Sequence, residues 1–151
     1  MAKYITSTDQ NVALNNAIPF DIVSTPCNRG MVIPLAPGVL TLRGGNTNKF
    51  ARYEVRVQGN IAIPEGGAVT PVAIAVTVNG IVIPDSIAIV TPAAAEDVWH
   101  VNTSTIITVP CGCCVSVSAE YVDATEDDAA TVPTPSVFVR RLASIDVNRI
   151  A

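Results

Sequence analysis

The feature that most constrains the fold is a series of short apolar runs separated by turn-forming residues. Eleven prolines and nine glycines are spread over the 151 residues, and the runs between them are rich in Val and Ile. Branching at Cβ restricts these side chains in a helix and suits them to the pleated surface of a sheet. Short runs at this spacing are typical of an all-β sandwich or barrel.

The positions of the runs predict about eight to ten strands. The strongest local signal is Asn79-Gly80, because this dipeptide supplies the positive φ angles of a two-residue hairpin turn. The segment from Ala93 to Asp97 is long enough only for a single helical turn. The apolar runs lie at residues 4–6, 12–20, 31–35, 39–43, 53–63, 72–78, 81–83, 87–90, 98–109, 115–122 and 137–145.

The composition is unusually poor in charge. Only 15% of the residues are charged, against about a quarter in an average soluble domain. We therefore expect apolar area to be buried between subunits, an exposed apolar surface being the alternative.

The net charge of −4 offers no basic field for phosphates, so no nucleic-acid partner is expected. The apolar runs are too short for a membrane span and the first residues do not resemble a secretory signal, so we expect synthesis in the cytoplasm and no membrane partner.

Several segments occur in an order that is informative as a set. They are Ile18-Pro19-Phe20, Tyr53-Glu54-Val55, Ala75 to Gly80, Ser104 to Val109, Val115 to Val117, and Ser136 to Val139. This order resembles the trimeric jelly roll of tumour-necrosis-factor-like domains and of the globular heads of collagen-tailed complement proteins. The resemblance extends over most of the chain, roughly from Ala17 to Leu142. It implies an antiparallel jelly-roll sandwich that forms a homotrimer.

A more specific resemblance comes from the segment Val109 to Cys114, Val-Pro-Cys-Gly-Cys-Cys. Similar segments occur in small, Ala/Val/Thr-rich proteins of phages and prophages of gut Firmicutes, which are usually head-fibre, decoration or tail-associated proteins. The resemblance implies a structural virion protein, which decorates a capsid or forms a head fibre or fibre knob. Other capsid or fibre proteins would be its partners. Its location would be the virion, exposed outside the cell after lysis.

We predict a single jelly-roll domain over residues 1–151. The segments 1–11 and 145–151 are hypothesised to act as arms that dock on a neighbouring subunit or on a capsid. The candidates for the subunit interface are strand residues: Tyr53, Val55, Val57, Trp99, His100, Phe138 and Arg140.

The four cysteines are Cys27, Cys111, Cys113 and Cys114. Three interpretations stay open. They can be reduced thiols packed as small apolar groups. They can form disulfides within the cluster, to Cys27 or between subunits, once lysis exposes the particle to oxidant. They can also bind a metal, although the spacing of the cluster is tighter than that of a usual structural zinc site.

Enzymatic activity is not expected. The only histidine is His100, whereas a cupin-like metal site needs two or three. No Ser/His/Asp set or phosphate-binding loop is present, and no cofactor is predicted. The acidic run from Glu126 to Asp128 is predicted to be a solvated loop.

The alternative function is a trimeric module that binds a receptor or a host glycan at a phage or bacterial surface. Such a module would use loops at one end of the sandwich, among residues 44–50, 64–69, 93–97 and 124–135. A trimer would repeat a weak site three times and gain avidity.

Overall fold

The computed structural model describes residues 1–26, 32–45, 50–112, 114–124 and 135–151. These residues form two antiparallel sheets of seven and six strands. In chain order the strands are β1 (Ala2–Ile5), β2 (Gln10–Ala13), β3 (Ile22–Thr25), β4 (Val32–Ala36), β5 (Val39–Arg43), β6 (Phe50–Ala62), β7 (Val72–Val78), β8 (Ile81–Val82), β9 (Ala88–Val90), β10 (Trp99–Pro110), β11 (Cys114–Val122), β12 (Ser136–Val139) and β13 (Ser144–Arg149).

The seven-stranded sheet, sheet A, is organised around the long strand β6. One edge of β6 pairs with β10 over twelve residues. Its other edge pairs first with β13 and then with β12, and the sheet continues from β13 to β1 and β3, and from β12 to β2. The six-stranded sheet, sheet B, has the order β4-β5-β11-β7, with β8 and β9 sharing the free edge of β7. This is an antiparallel jelly-roll sandwich, which confirms the predicted fold class.

The core lies between the two sheets and is almost entirely aliphatic. Alternate residues of β6 are buried, as the alternating sequence pattern predicts. The largest side chains in the core are two tyrosines, Tyr53 and Tyr121, which are fully buried. Tyr53 donates a hydrogen bond from its hydroxyl group to the backbone oxygen of Arg43, which satisfies its polar end inside the sandwich.

The structure contains more strands than predicted because one long apolar run is divided in two and one strand forms outside the predicted runs, while another run gives a shorter strand. The predicted strand 12–20 ends at Ala13, where the chain turns through Asn15 with a φ of 63°. The predicted strand 137–145 is broken between Val139 and Ser144. Strand β3, by contrast, was not predicted.

Helical structure is minimal in the described ranges. The segment Ala93 to Asp97 forms bends and turns, so the predicted helical turn is wrong at that position. A 3-10 turn occurs instead at Pro84–Ser86. None of the helical structure in the described part of the chain is long and apolar enough to cross a membrane.

The Asn79-Gly80 turn forms as predicted, with φ angles of 51° and 80°. Asn79 also holds the hairpin to the neighbouring strand β11. Its backbone N–H donates to the oxygen of Ser116 at 2.9 Å, and its side-chain oxygen accepts a hydrogen bond from the N–H of Ser116 at 3.0 Å. The turn residue therefore contributes tertiary contacts that its sequence signature does not reveal.

Both terminal segments that were predicted as docking arms contribute strands to sheet A. Strand β1 is held between β13 and β3, and β13 is held between β6 and β1. After β13, the N–H of Ile150 donates to the oxygen of Arg52, and the N–H of Arg52 donates to the oxygen of Ala151. These segments therefore form backbone hydrogen bonds within the chain, and their docking on a neighbouring subunit or on a capsid stays a prediction.

Candidate binding cleft

An open cleft of about 460 Å³ lies on the outer face of sheet A, where β6 ends. Its walls come from strands β2, β6 and β12 and from the loops that follow β6 and precede β10. We refer to it as the cleft. Its lining residues are Asn11, Ala62, Ile63, Pro64, Glu65, Glu96, Val98, Phe138 and Arg140.

One wall of the cleft is positioned by an unusual backbone conformation at Glu96. This residue has a φ of 66°, a backbone angle that residues other than glycine adopt infrequently. The conformation turns the loop before β10 back toward β6, and the N–H of Glu96 donates to the oxygen of Ile63 at 2.9 Å. Ile63 is itself fully buried, so the loop is attached to the core.

The opposite wall is formed by Phe138, on the outer side of β12, and by Arg140, which follows the strand. Strand alternation directs Val137 and Val139 into the core and leaves Phe138 half-buried on the outer face. The guanidinium group of Arg140 lies 5.9 Å from the centre of the Phe138 ring, within the range of a cation–π contact. It also lies 3.4 Å from a carboxylate oxygen of Asp9. These contacts hold Arg140 over the cleft.

The lining has two kinds of surface. Val98 and Phe138 provide apolar area above the buried Ala62 and Ile63, while Asn11, Glu65, Glu96 and Arg140 provide polar groups. Neither Glu65 nor Glu96 takes part in an ion pair with another described residue. The cleft therefore presents carboxylates that accept hydrogen bonds beside amide and guanidinium groups that donate them.

His100 lies close to the cleft but does not line it. Its Nδ1 is 3.2 Å from the side-chain oxygen of Asn60 on the paired strand β6, and the side chain is exposed. The side chain of Trp99 is 42% exposed at the start of β10. Their predicted role at a subunit interface stays a prediction, as do those of Phe138 and Arg140.

Three other interface candidates are corrected by the structure. Tyr53, Val55 and Val57 lie on the inner face of β6, with exposures of 0%, 0% and 3%. They are covered by sheet B of the same chain, so their side chains are not available to a neighbouring copy. The alternating pattern correctly identified one buried face of this strand, but it did not show which layer covers that face.

A second surface occupies the middle of the same outer face, and we call it the Ile106 face. It consists of Lys3, Glu54, Arg56, Ile106 and Asp146, which are placed side by side by the pairing of β1, β13, β6 and β10. Lys3 pairs with Asp146 at 3.7 Å, and Arg56 pairs with Glu54 at 3.6 Å. Ile106 stands next to these charges and is 60% exposed.

Cys111 lies in the turn after β10, and Cys114 is the first residue of β11. Cys111 and Cys114 are exposed there, while Cys27 and Cys113 fall outside the described residues, as does the acidic run 126–128. Within the described ranges, no group of three or more His, Cys, Asp or Glu side chains is arranged to hold a metal. The disulfide and metal hypotheses therefore stay predictions.

The sequence pointed to the cleft only indirectly. Two of the four loops predicted to face outward, 64–69 and 93–97, supply Glu65 and Glu96. Asn11, Glu65 and Glu96 were not singled out as site residues. Isolated polar residues in loops or on a short edge strand carry no periodic signal, so only their placement around one cleft identifies them.

No protein-family model matches the chain, and no curated protein matches it. Solved structures do match. The globular domain of zebrafish complement 1qA protein has a TM-score of 0.58 at 9% sequence identity, over 99% of this chain and 96% of that one. The Eiger TNF of S. frugiperda has a TM-score of 0.59 at 10% identity, over 99% of this chain and 91% of that one. These similarities show that the fold is the jelly roll of complement 1q and TNF domains.

A third structure is a weaker match. It is the C-terminal domain of the sugar-binding protein EclA, with a TM-score of 0.41 at 11% identity, over 95% of this chain and 79% of that one.

Proposed function

We propose that this chain is a non-enzymatic structural module that assembles as a homotrimer and decorates a bacteriophage virion. The observation that carries the assembly is the combination of a free strand edge and an exposed apolar residue on sheet A. Within the described residues, β10 pairs only with β6, which leaves the other edge of a twelve-residue strand without a partner strand. Long edges of this kind are sites where another chain can pack.

The Ile106 face supports the same assembly. Its four charged residues are matched in sign and paired within the chain, so a neighbour that covers the face meets no unbalanced charge. Ile106 supplies the apolar centre that such an interface needs. Sharing a fold with complement 1q and TNF domains is compatible with this arrangement.

The virion setting rests on the resemblance of the Val109 to Cys114 segment to phage proteins. The low content of charged residues also suits a protein that works in a large assembly. Catalysis is not part of the proposal, since the single His100 lies on the surface beside Asn60 and no carboxylate contacts it among the described residues.

Oligomeric state provides the first test. Light scattering of the purified protein should give three times the 15.7 kDa mass of one chain. Ile106→Glu places a charge at the centre of the Ile106 face and should produce folded monomers. The matched control is Ile81→Glu, because Ile81 is 74% exposed on sheet B and should leave the trimer intact. A wild-type protein with the mass of a single chain would overturn the assembly proposal.

Electron microscopy of purified phage particles tests the setting. An antibody against the chain should label the capsid or a fibre at threefold-symmetric densities. Particles that lack the chain, while the soluble fraction of the lysate contains it, would contradict the virion assignment.

A further inference from the structure

We propose that the cleft is a carbohydrate-binding site that accepts a short neutral oligosaccharide. The inference goes beyond the structural role proposed above and does not depend on the oligomeric state. It rests on the size of the cleft, the mixture of surfaces that line it and the balance of its polar groups.

The dimensions and surfaces fit a small polar ligand. The volume of about 460 Å³ lies in the range of small-molecule sites, which combine apolar walls with a few polar groups. Phe138 and Val98 provide apolar area that can pack against the C–H faces of a sugar ring. The walls are held by the Glu96–Ile63 backbone hydrogen bond and by the contacts of Arg140.

The polar groups that line the cleft favour a neutral sugar over an anion or a cation. An anion would meet the two carboxylates of Glu65 and Glu96. A cation would meet the guanidinium group of Arg140, which also lines the cleft. A row of hydroxyl groups can donate to the carboxylates and accept from Arg140 and Asn11 at the same time, because each hydroxyl is both donor and acceptor. A polyhydroxyl ligand therefore uses every polar group of the cleft.

A metal ion is a poor occupant of the cleft because the cleft supplies too few ligands. A calcium site takes six to eight oxygen ligands, mainly from carboxylates and carbonyl groups. The described residues place no group of three potential metal-binding side chains together anywhere, so the two glutamates of the cleft lack a third.

The test is a titration of the ¹⁵N-labelled full-length protein, followed by NMR. The probes are maltotriose and N,N′,N″-triacetylchitotriose. At least one should cause saturable shifts in the amide signals of Glu65, Glu96 and Phe138. The double variant Glu65→Gln, Glu96→Gln keeps the side-chain size but removes both charges, and should weaken binding by about tenfold or more. The same variant should retain a folded spectrum, since both side chains are exposed.

The matched control is Asp97→Asn, which removes a charge from the same loop at an exposed residue that does not line the cleft. It should bind the probes as the wild type does. The proposal fails if neither probe causes saturable shifts up to its solubility limit, or if binding survives in the double variant. Tighter binding of 1,5-diaminopentane than of either sugar would also overturn it, because the site would then select a cation.

Discussion

At the scale of single residues, Gly59 shows how closely β6 approaches the break between β12 and β13. A Cβ atom added to Gly59 would lie 2.8 Å from the Cβ of Ala143 and 3.4 Å from its Cα. Ala143 is almost fully buried, next to the break between β12 and β13. Glycine is therefore required here for space, not for a special backbone angle.

We predict that Gly59→Ala lowers the free energy of unfolding by about 1–3 kcal/mol, the usual cost of overpacking a core. Ala143→Gly alone should cost about 1 kcal/mol through backbone entropy. The double variant Gly59→Ala, Ala143→Gly should lose less unfolding free energy than the sum of the two single losses, because the clash between the two Cβ atoms is then absent. Urea unfolding of all three variants measures this coupling, and strictly additive effects would show that the close approach is not the cause.

The buried Tyr121 makes the free energy of unfolding depend on pH in the alkaline range. Burial, assisted by the charge of Asp123, raises the pKa of Tyr121 from 10.0 to about 12. The folded protein therefore holds the phenolic proton more tightly than the unfolded chain does. The resulting stabilisation is fully present below pH 10 and is lost as the pH rises toward 12.

Tyr121→Phe removes this titration. We expect the variant to lose less unfolding free energy than the wild type between pH 10 and 12, which parallel urea titrations at several pH values would measure. Identical pH profiles for the two proteins would show that the phenol ionises in the folded state as readily as in the unfolded one.

At the scale of elements, β12 and β13 behave as one long strand with a break. Both run along the same edge of β6, and residues 140–143 bulge out between them. Thr6, which follows β1, closes the break from the other side. Its backbone N–H donates to the oxygen of Ala143, and its hydroxyl oxygen accepts a hydrogen bond from the N–H of Ala143 at 3.1 Å.

Thr6 is fully buried, so removal of its hydroxyl group should be costly. We predict that Thr6→Val, which keeps the shape, lowers the free energy of unfolding by about 1–3 kcal/mol because the N–H of Ala143 loses its partner. Thr6→Ser should cost less, since it keeps the hydroxyl. Thermal and urea unfolding provide the measurement, with the exposed Thr8→Val as the control. A Val variant as stable as the wild type, beside a destabilised Ser variant, would assign the role of Thr6 to methyl packing instead.

Element boundaries illustrate what a linear pattern can predict. The run 98–109 was predicted almost to the residue, because β10 has a clear alternation and ends near Pro110. The break in 137–145 was not predicted. The residues Arg140 to Ala143 differ little in local preference from a strand end, and the bulge is held by hydrogen bonds to Thr6, Asp9 and Asn60.

At the scale of the whole molecule, the outer face of sheet A carries two surfaces with different properties. The Ile106 face lies in the middle of the sheet and balances its charges within the chain. The cleft lies at the end of β6 and β12, where Glu65 and Glu96 have no ion-pair partner among the described residues. A trimer built through the Ile106 face would carry three copies of the cleft, which multiplies weak binding.

The sequence by itself determined the fold class and most strands, because side-chain alternation and turn chemistry act over a few neighbouring residues. It also determined that Tyr53, Val55 and Val57 share one side of β6. Only the tertiary structure decided that this side is covered by sheet B, that both termini are paired strands, and that Asn11, Glu65, Glu96 and Arg140 meet in one cleft. These outcomes depend on contacts between segments far apart in the chain, which no local pattern encodes.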